Sequence, residues 1–260
     1  MATETIVVSR NEAAAVIQLN RPSRRNAISL QMMPEIVAAL DEAERDPHVR
    51  TVIVTGGADC FSAGADLNEA LEVRSVPAAM AFLGNLHRLN NRIETLDKPV
   101  IAAIEGFCMT GGLELALACD LRVAGEGSTF AITSARIGTV PGAGGTQRLP
   151  RIVGKANALE MLFAADPIGC AEALRIGLIN RRTDRGSALN EALATARVHA
   201  ERAPLSLALI KRAVHRGLQS DIASGLELET FLVSSIYTTE DKEEGISAFL
   251  EKRKPQFRGA

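Results

Sequence analysis

Lys98-Pro99-Val100-Ile101-Ala102-Ala103-Ile104-Glu105-Gly106, running on into Phe107-Cys108-Met109-Thr110-Gly111-Gly112-Leu113-Glu114-Leu115, is the stretch on which the fold turns. Val100–Ile104 is a short apolar run bounded by Pro and Gly, and it reads as a buried strand. Gly111–Ala118 reads as a short apolar helix and Leu121-Arg122-Val123-Ala124 as the next strand. Strand, helix and strand in such close succession describe a βαβ-type unit with a right-handed crossover.

Upstream, Ile6-Val7-Val8 and Ala15-Val16-Ile17-Gln18-Leu19, separated by Ser9-Arg10-Asn11-Glu12, predict a hairpin that Arg21-Pro22-Ser23 ends. From Ser29, a candidate N-cap, Leu30, Met33, Ile36, Val37 and Leu40 keep a helical period. Thr51–Thr55 is a strand closed by Gly56-Gly57, and a second helix covers Ala78–Ile93. Beyond residue 152 helices dominate: Lys155–Phe163, Ala171–Ile176, Leu189–Ala203, Leu205–Gly217, Ile222–Ser235 and Asp241–Lys252. Leu178-Ile179-Asn180 interrupts them with a strand-like run. The expectation is an α/β core over residues 1–200 and a helical region over 201–260 that covers the core or pairs with neighbouring subunits.

The 260 residues, 47% apolar and 23% charged, suit a globular protein that buries a core without disulfide or metal staples. A net charge of −2 lacks the basic footprint of a nucleic-acid binder. Cys60, Cys108, Cys119 and Cys170 form no CxxC pair, and the histidines show no spacing to match them. Free thiols in a reducing compartment, the cytoplasm, are therefore expected, and a metal is not. Met1-Ala2-Thr3-Glu4-Thr5 carries an early acid without an apolar run, and no stretch of about 18 uncharged apolar residues follows. Neither a signal peptide nor a transmembrane helix is expected.

Three glycine-bearing segments stand out: Phe61–Leu67, Gly106–Leu115 and Gly138–Leu149. The first two follow a strand and open a helix. Small residues there let a ligand approach the main chain, and free N–H groups at a helix start favour developing negative charge. That is what an oxyanion hole requires. Taken alone, any one such segment is better explained by ordinary loop chemistry. None has the Gly-Lys-Ser/Thr end of a Walker A loop. Arg24 and Arg25 by themselves read as a solvated basic turn. Glu114 is either a first-turn acid favoured by the macrodipole or, among Leu113, Leu115, Ala116 and Leu117, a buried carboxylate with a task.

Taken in order, these segments resemble the crotonase (enoyl-CoA hydratase/isomerase) superfamily along nearly the whole chain. The marks are Leu19-Asn20-Arg21-Pro22 with Asn26-Ala27, Phe61-Ser62-Ala63-Gly64-Ala65-Asp66-Leu67, Lys98–Gly106 and Gly111-Gly112-Leu113-Glu114-Leu115-Ala116. Pro141–Leu149 and Gly245–Arg253 complete the set. The resemblance implies a spiral of ββα units with a C-terminal helical oligomerisation region, assembled as a homotrimer or a dimer of trimers. It implies a coenzyme A thioester as substrate and no permanently bound cofactor.

By this similarity the N–H groups of Ala65 and Gly111 form the oxyanion hole. Ser23, Arg24, Arg25, Asn26 and Ala27 border the nucleotide and pantetheine of CoA, with Asp66 and Leu67 in the same substrate-binding set. Ala63 sits beside the acyl-thioester, and Lys252 reaches the CoA phosphates across a subunit boundary. Hydratases of this type use two glutamates. Glu114 matches the first; where the second is expected stands Ser134, in Ile132-Thr133-Ser134-Ala135-Arg136-Ile137, a run without any carboxylate.

A serine holds a water by hydrogen bonding but is no acid or base near neutral pH without an activating partner. Hydration of an α,β-unsaturated acyl-CoA, or the reverse, with Glu114 and Ser134 catalytic, is the first expectation. The alternative is isomerisation, decarboxylation or C–C cleavage with one glutamate. A CoA- or RNA-binding protein with weak catalysis is a third, which the slight acidity disfavours. Arg136 reads as a surface arginine, or as a partner for a carboxylate on the acyl group.

Overall fold

A computed structural model describes residues 5–260. In chain order the elements of the first half are β1 (Ile6–Asn11), β2 (Ala14–Leu19), α1 (Met32–Arg45), β3 (Thr51–Thr55), β4 (Cys60–Ser62), α2 (Leu67–Leu71) and α3 (Val76–Thr95). There follow β5 (Val100–Ile104), β6 (Phe107–Met109), α4 (Gly111–Ala118), β7 (Leu121–Gly125), β8 (Thr129–Ala131), α5 (Gly145–Val153), α6 (Lys155–Ala164), β9 (Ile168–Gly169) and α7 (Cys170–Arg175). The chain ends in β10 (Arg181–Thr183), α8 (Ala188–Ala200), α9 (Pro204–Gly217), α10 (Ile222–Ile236) and α11 (Glu240–Leu250).

Two sheets share the strands. One has the order β1-β2-β3-β5-β7-β10, the other β4-β6-β8-β9. β3, β5 and β7 lie parallel in the first sheet, and the strand that follows each one lies parallel in the second. Each pair then runs into a helix, so the chain winds through repeated ββα turns. This is the expected spiral.

The central strands β3 and β5 of the larger sheet are buried on both faces, which is why they read as continuous apolar runs. Val100, Ala102 and Ile104 face the main core with Leu89, Ile93 and Phe130. Ile101 and Ala103 face the other way, onto Ala188, Ala192 and Ala196 of α8.

Several boundaries depart from expectation. β1 continues through Ser9-Arg10-Asn11 because it is an edge strand whose outer side chains meet water. The residue flanking α1 is Gln31 and not Ser29, although Ser29 Oγ accepts the Met32 N–H at 3.1 Å. Leu178-Ile179-Asn180 is not a strand. Leu178 and Ile179 plug the core, Asn180 Oδ1 accepts the Arg122 N–H, and pairing with β7 begins at Arg181.

In the C-terminal region α10 packs against α9 and buries only Leu232, while Ile222, Leu226, Phe231, Val233 and Tyr237 stay exposed. Among the described residues no helix is long and apolar enough to cross a membrane.

Candidate active site

Asn26 is where two of the glycine-free and glycine-bearing segments meet. Arg25 and Asn26 both take left-handed conformations, φ 50° and 52°, a region that Asn tolerates better than most residues. The buried Asn26 side chain accepts the Arg21 N–H and donates to the carbonyls of Gly56 and Cys60 at 2.7 and 3.0 Å. Ser62 Oγ donates to the Asn26 carbonyl, Ala63 N–H to Arg25 O, Ile28 N–H to Gly64 O and Asp66 N–H to Ile28 O. The run 21–28 is thus stitched along 60–66, which sets Arg25 beside Ala63.

Ser23, Arg24, Arg25, Ala63 and Leu67 are exposed. Among the described residues neither Arg24 nor Arg25 has an ion pair. Asp66 is otherwise engaged: its carboxylate pairs with Arg21 at 3.0 Å and accepts the Asn68 N–H at the start of α2, and these partners hold it below the usual carboxylate range against the opposing effect of burial. Lys252 lies just beyond α11, and its N–H bonds to Phe249 O, within the C-terminal region. The structure does not bring it to the other candidate residues within one chain.

Ala65 and Gly111 do come together. Gly64 has φ +109°, which a side chain would strain, and it lets the loop pass directly over the start of α4. A Cβ on Gly111 would stand 2.9 Å from the Ala65 nitrogen, and one on Gly64 would stand 3.0 Å from the Gly111 nitrogen. Among the described residues neither the Ala65 nor the Gly111 N–H has an acceptor. Gly111 is the first residue of α4, where the unpaired N–H groups and the helix dipole favour negative charge. Two unpaired donors side by side can hold an oxygen on which charge develops.

Glu114, in the first turn of α4, is 2% exposed. Its Oε1 accepts the N–H groups of Ala143 and Gly145, each at 2.8 Å. Burial pushes its carboxyl above the ordinary carboxylate range; the two N–H groups and the charge of Arg148 pull in the other direction without overcoming it. The Ala143 carbonyl is fixed in turn by Asn90 Nδ2 and Arg148 Nη1, and Arg148 is paired with Glu94. The third glycine segment, Gly138–Leu149, is therefore the cradle of Glu114.

Ser134 is buried at the start of a 3-10 turn, Ser134–Ile137. The chain enters it from Thr133, whose hydroxyl lies 2.8 Å from that of Thr110, next to Gly111. Among the described residues the Ser134 hydroxyl and Glu114 Oε2 have no hydrogen-bond partner. Arg136 is exposed and paired with Asp166, as a surface arginine should be.

Three groups of the site are not marked as such in the sequence. Thr110 stands there only as part of a glycine-rich run. The N–H groups of Ala143 and Gly145 leave no trace in side-chain identity. A cavity of about 400 Å³ under α9, lined by residues such as Asp120, Lys211 and His215, contains none of Ala65, Gly111, Glu114 or Ser134. Donor geometry, not volume, defines this site. Among the described residues no group of three or more His, Cys, Asp or Glu could hold a metal ion.

Residues 9–260 match the family model described as enoyl-CoA hydratase/isomerase. The chain is similar to a probable enoyl-CoA hydratase of Mycobacterium tuberculosis, 37% identical, covering 99% of each chain. It is 38% identical to a short-chain-enoyl-CoA hydratase of Clostridium acetobutylicum, over 98% of this chain and 97% of that one. The crystal structure of an enoyl-CoA hydratase from Bacillus anthracis superposes with a TM-score of 0.94 at 34% identity, covering 99% of this chain and all of the other.

Proposed function

The chain belongs to the enoyl-CoA hydratase/isomerase family, and from that premise we propose that it adds water to an α,β-unsaturated acyl-CoA or runs the reverse dehydration. The observation that carries this reading is the pair of unpartnered N–H groups at Ala65 and Gly111, at the head of the helix that bears Glu114. The thioester carbonyl oxygen accepts both N–H groups. When water oxygen attacks Cβ, charge passes through Cα onto that oxygen as an enolate, which the two donors stabilise.

Glu114 Oε1 is held by two main-chain donors, so Oε2 is the oxygen free to take the water proton and return it to Cα. A carboxyl raised by burial is better matched to that exchange near neutral pH than an ordinary one. The unpartnered Ser134 hydroxyl helps place the water. Unpaired Arg24 and Arg25 on the adjoining surface suit the CoA phosphates. Asp66, tied to Arg21, contributes by holding its loop. The CoA thioester is the substrate, and water, a carboxylate and two amides suffice for the addition without a permanently bound cofactor.

The exposed apolar face of α10 supports assembly as a homotrimer or a dimer of trimers. Lys252 would then serve a neighbour's CoA. Four unpaired thiols suit a reducing compartment such as the cytoplasm. A division at about residue 200 between spiral core and C-terminal helices fits this arrangement. No partner nucleic acid or membrane enters it.

Ser134 in place of a second carboxylate favours a second reading, in which the same enolate leads to isomerisation, decarboxylation or C–C cleavage. Product identification by mass separates the two, using a panel of enoyl-, dicarboxylyl- and β-hydroxyacyl-CoAs with wild type, Glu114→Ala and Ser134→Glu. Hydration by wild type, lost in Glu114→Ala, is the expected result. A wild type that barely hydrates any of them, while Ser134→Glu does so well, overturns the hydratase reading for the native chain.

A further inference from the structure

Thr110 stands at φ 45° and ψ −113°, a conformation that is a true outlier for a β-branched residue. Glycine would adopt positive φ without strain. What threonine has and glycine lacks is the hydroxyl. Thr110 Oγ1 accepts the Thr133 N–H at 3.2 Å and lies 2.8 Å from Thr133 Oγ1, while the Thr110 N–H donates to Ala131 O at 2.7 Å. Thr133 itself is relaxed, at φ −91° and ψ 12°, and precedes Ser134 directly.

The direction of the Gly111 N–H follows from the same residue. The Thr110–Gly111 peptide is trans, so its C=O and N–H point in opposite senses. Its carbonyl points into α4 and accepts the Glu114 N–H at 2.9 Å. The Gly111 N–H is therefore aimed backwards out of the helix, at the end of α4 where the Ala65 nitrogen lies. A small rotation of Thr110 ψ would turn that N–H away.

We infer that Thr110 is a positioning residue whose hydroxyl, clipped to Thr133, aims the Gly111 N–H and fixes it relative to Ser134. This rests on the oxyanion-hole reading above. The donor side of the site and its water side are then joined by one hydroxyl pair, and neither moves without the other.

The experiment uses full-length Thr110→Val, Thr133→Val, the double variant and Thr110→Ser, with crotonyl-CoA as substrate and thermal unfolding in parallel. Each valine variant is expected to lower kcat by roughly ten- to a hundredfold, as for a misaligned donor, with KM within about twofold. The double variant should be no worse than Thr110→Val, which already removes the hydroxyl pair that Thr133→Val removes. Thr110→Ser should restore most of kcat. Thr133→Val keeps the inference testable if Thr110→Val fails to fold, since Thr133 carries no strain. Valine variants with wild-type kcat overturn it, as do additive losses in the double variant or losses of kcat that merely follow the melting temperature. An inactive wild type overturns the oxyanion-hole reading and this inference together, whereas active valine variants overturn the inference alone.

Discussion

The Gly145 nitrogen donates to Glu114 Oε1 at 2.8 Å, and a methyl group on Gly145 would lie 2.9 Å from that same oxygen. Ile132 Cδ1, at 2.9 Å, and Pro141 Cβ, at 3.1 Å, close the other sides. Two of these three side-chain contacts are closer than a real Cβ tolerates, so one of them must shift. Gly145→Ala should therefore push Glu114 off its two donors, destabilise the fold by about 1–3 kcal/mol through overpacking, and lower kcat. Urea unfolding and turnover of the same preparation check both; an alanine variant with unchanged stability and rate would show that the cradle is looser than these contacts imply.

Gly111→Ala tests the amide pair more directly. The added Cβ meets backbone, the Ala65 nitrogen, and not a flexible side chain. The two strands of chain must part. Losing one donor to a developing oxyanion costs roughly a hundred- to a thousandfold in kcat, and alanine at the head of a helix is otherwise well tolerated. A loss of that size without a matching fall in ground-state affinity for a saturated acyl-CoA is the expected outcome, read from kinetics and calorimetric titration.

Glu114→Gln should separate activity from stability. The amide oxygen can keep both N–H donors, but the general base is gone, so turnover falls by roughly a hundred- to ten-thousandfold. Stability moves the other way. A carboxyl raised in the fold binds its proton more tightly there than in the unfolded chain, so its contribution is fully present below the ordinary carboxylate range. That contribution is lost as pH rises through the folded-state value. The buried carboxyl is ionised at a cost that glutamine does not bear. Glu114→Gln should melt above wild type near neutral pH, and the difference should shrink on acidification below the usual carboxylate range.

Asn26 makes a sharper structural prediction. Its amide donates to carbonyl oxygens from the 56–61 run, a role that an isosteric carboxylate cannot fill. Asn26→Asp should lose about 3 kcal/mol or more at neutral pH, since it buries a charge against acceptors. Asn26→Ala should lose a comparable amount through orphaned carbonyls. Only the aspartate variant should regain stability on acidification, when the protonated carboxyl can donate again. Equal pH dependence of the two variants would refute the hydrogen-bond assignment.

How far the sequence disclosed this arrangement depends on where the information lies. Val100–Ile104 and Gly111–Ala118 were legible to the residue, because burial on both faces and a glycine pair leave plain marks. β4, β6, β8 and β9 were not, being two or three residues long and too short to show a period. α5 was hidden by its glycine start and by Pro150 within it. Glu114 was visible as a charged residue in an apolar helix, but the Ala143 and Gly145 donors that hold it are main-chain groups any residue could supply. The strain at Thr110 was equally invisible, since a β-branched residue argues against the conformation it adopts.

The apolar side of α10 yields the last prediction. Ile222, Phe231 and Tyr237 are 79%, 71% and 65% exposed, and α11 ends with Phe249 and Leu250 at 83% and 73%. Large side chains left in water on a helix face are what association buries. If copies of this chain meet there, Phe231→Glu places a charge in the contact and should shift sedimentation from a trimer or larger species toward the monomer. Lys252 closes the same region, so the monomeric variant should bind CoA less well as the neighbour's lysine is withdrawn. Lys252→Ala should weaken CoA binding by the same factor without dissociating the assembly. A wild type that sediments as a monomer would leave the apolar helices unexplained and would remove Lys252 from the site.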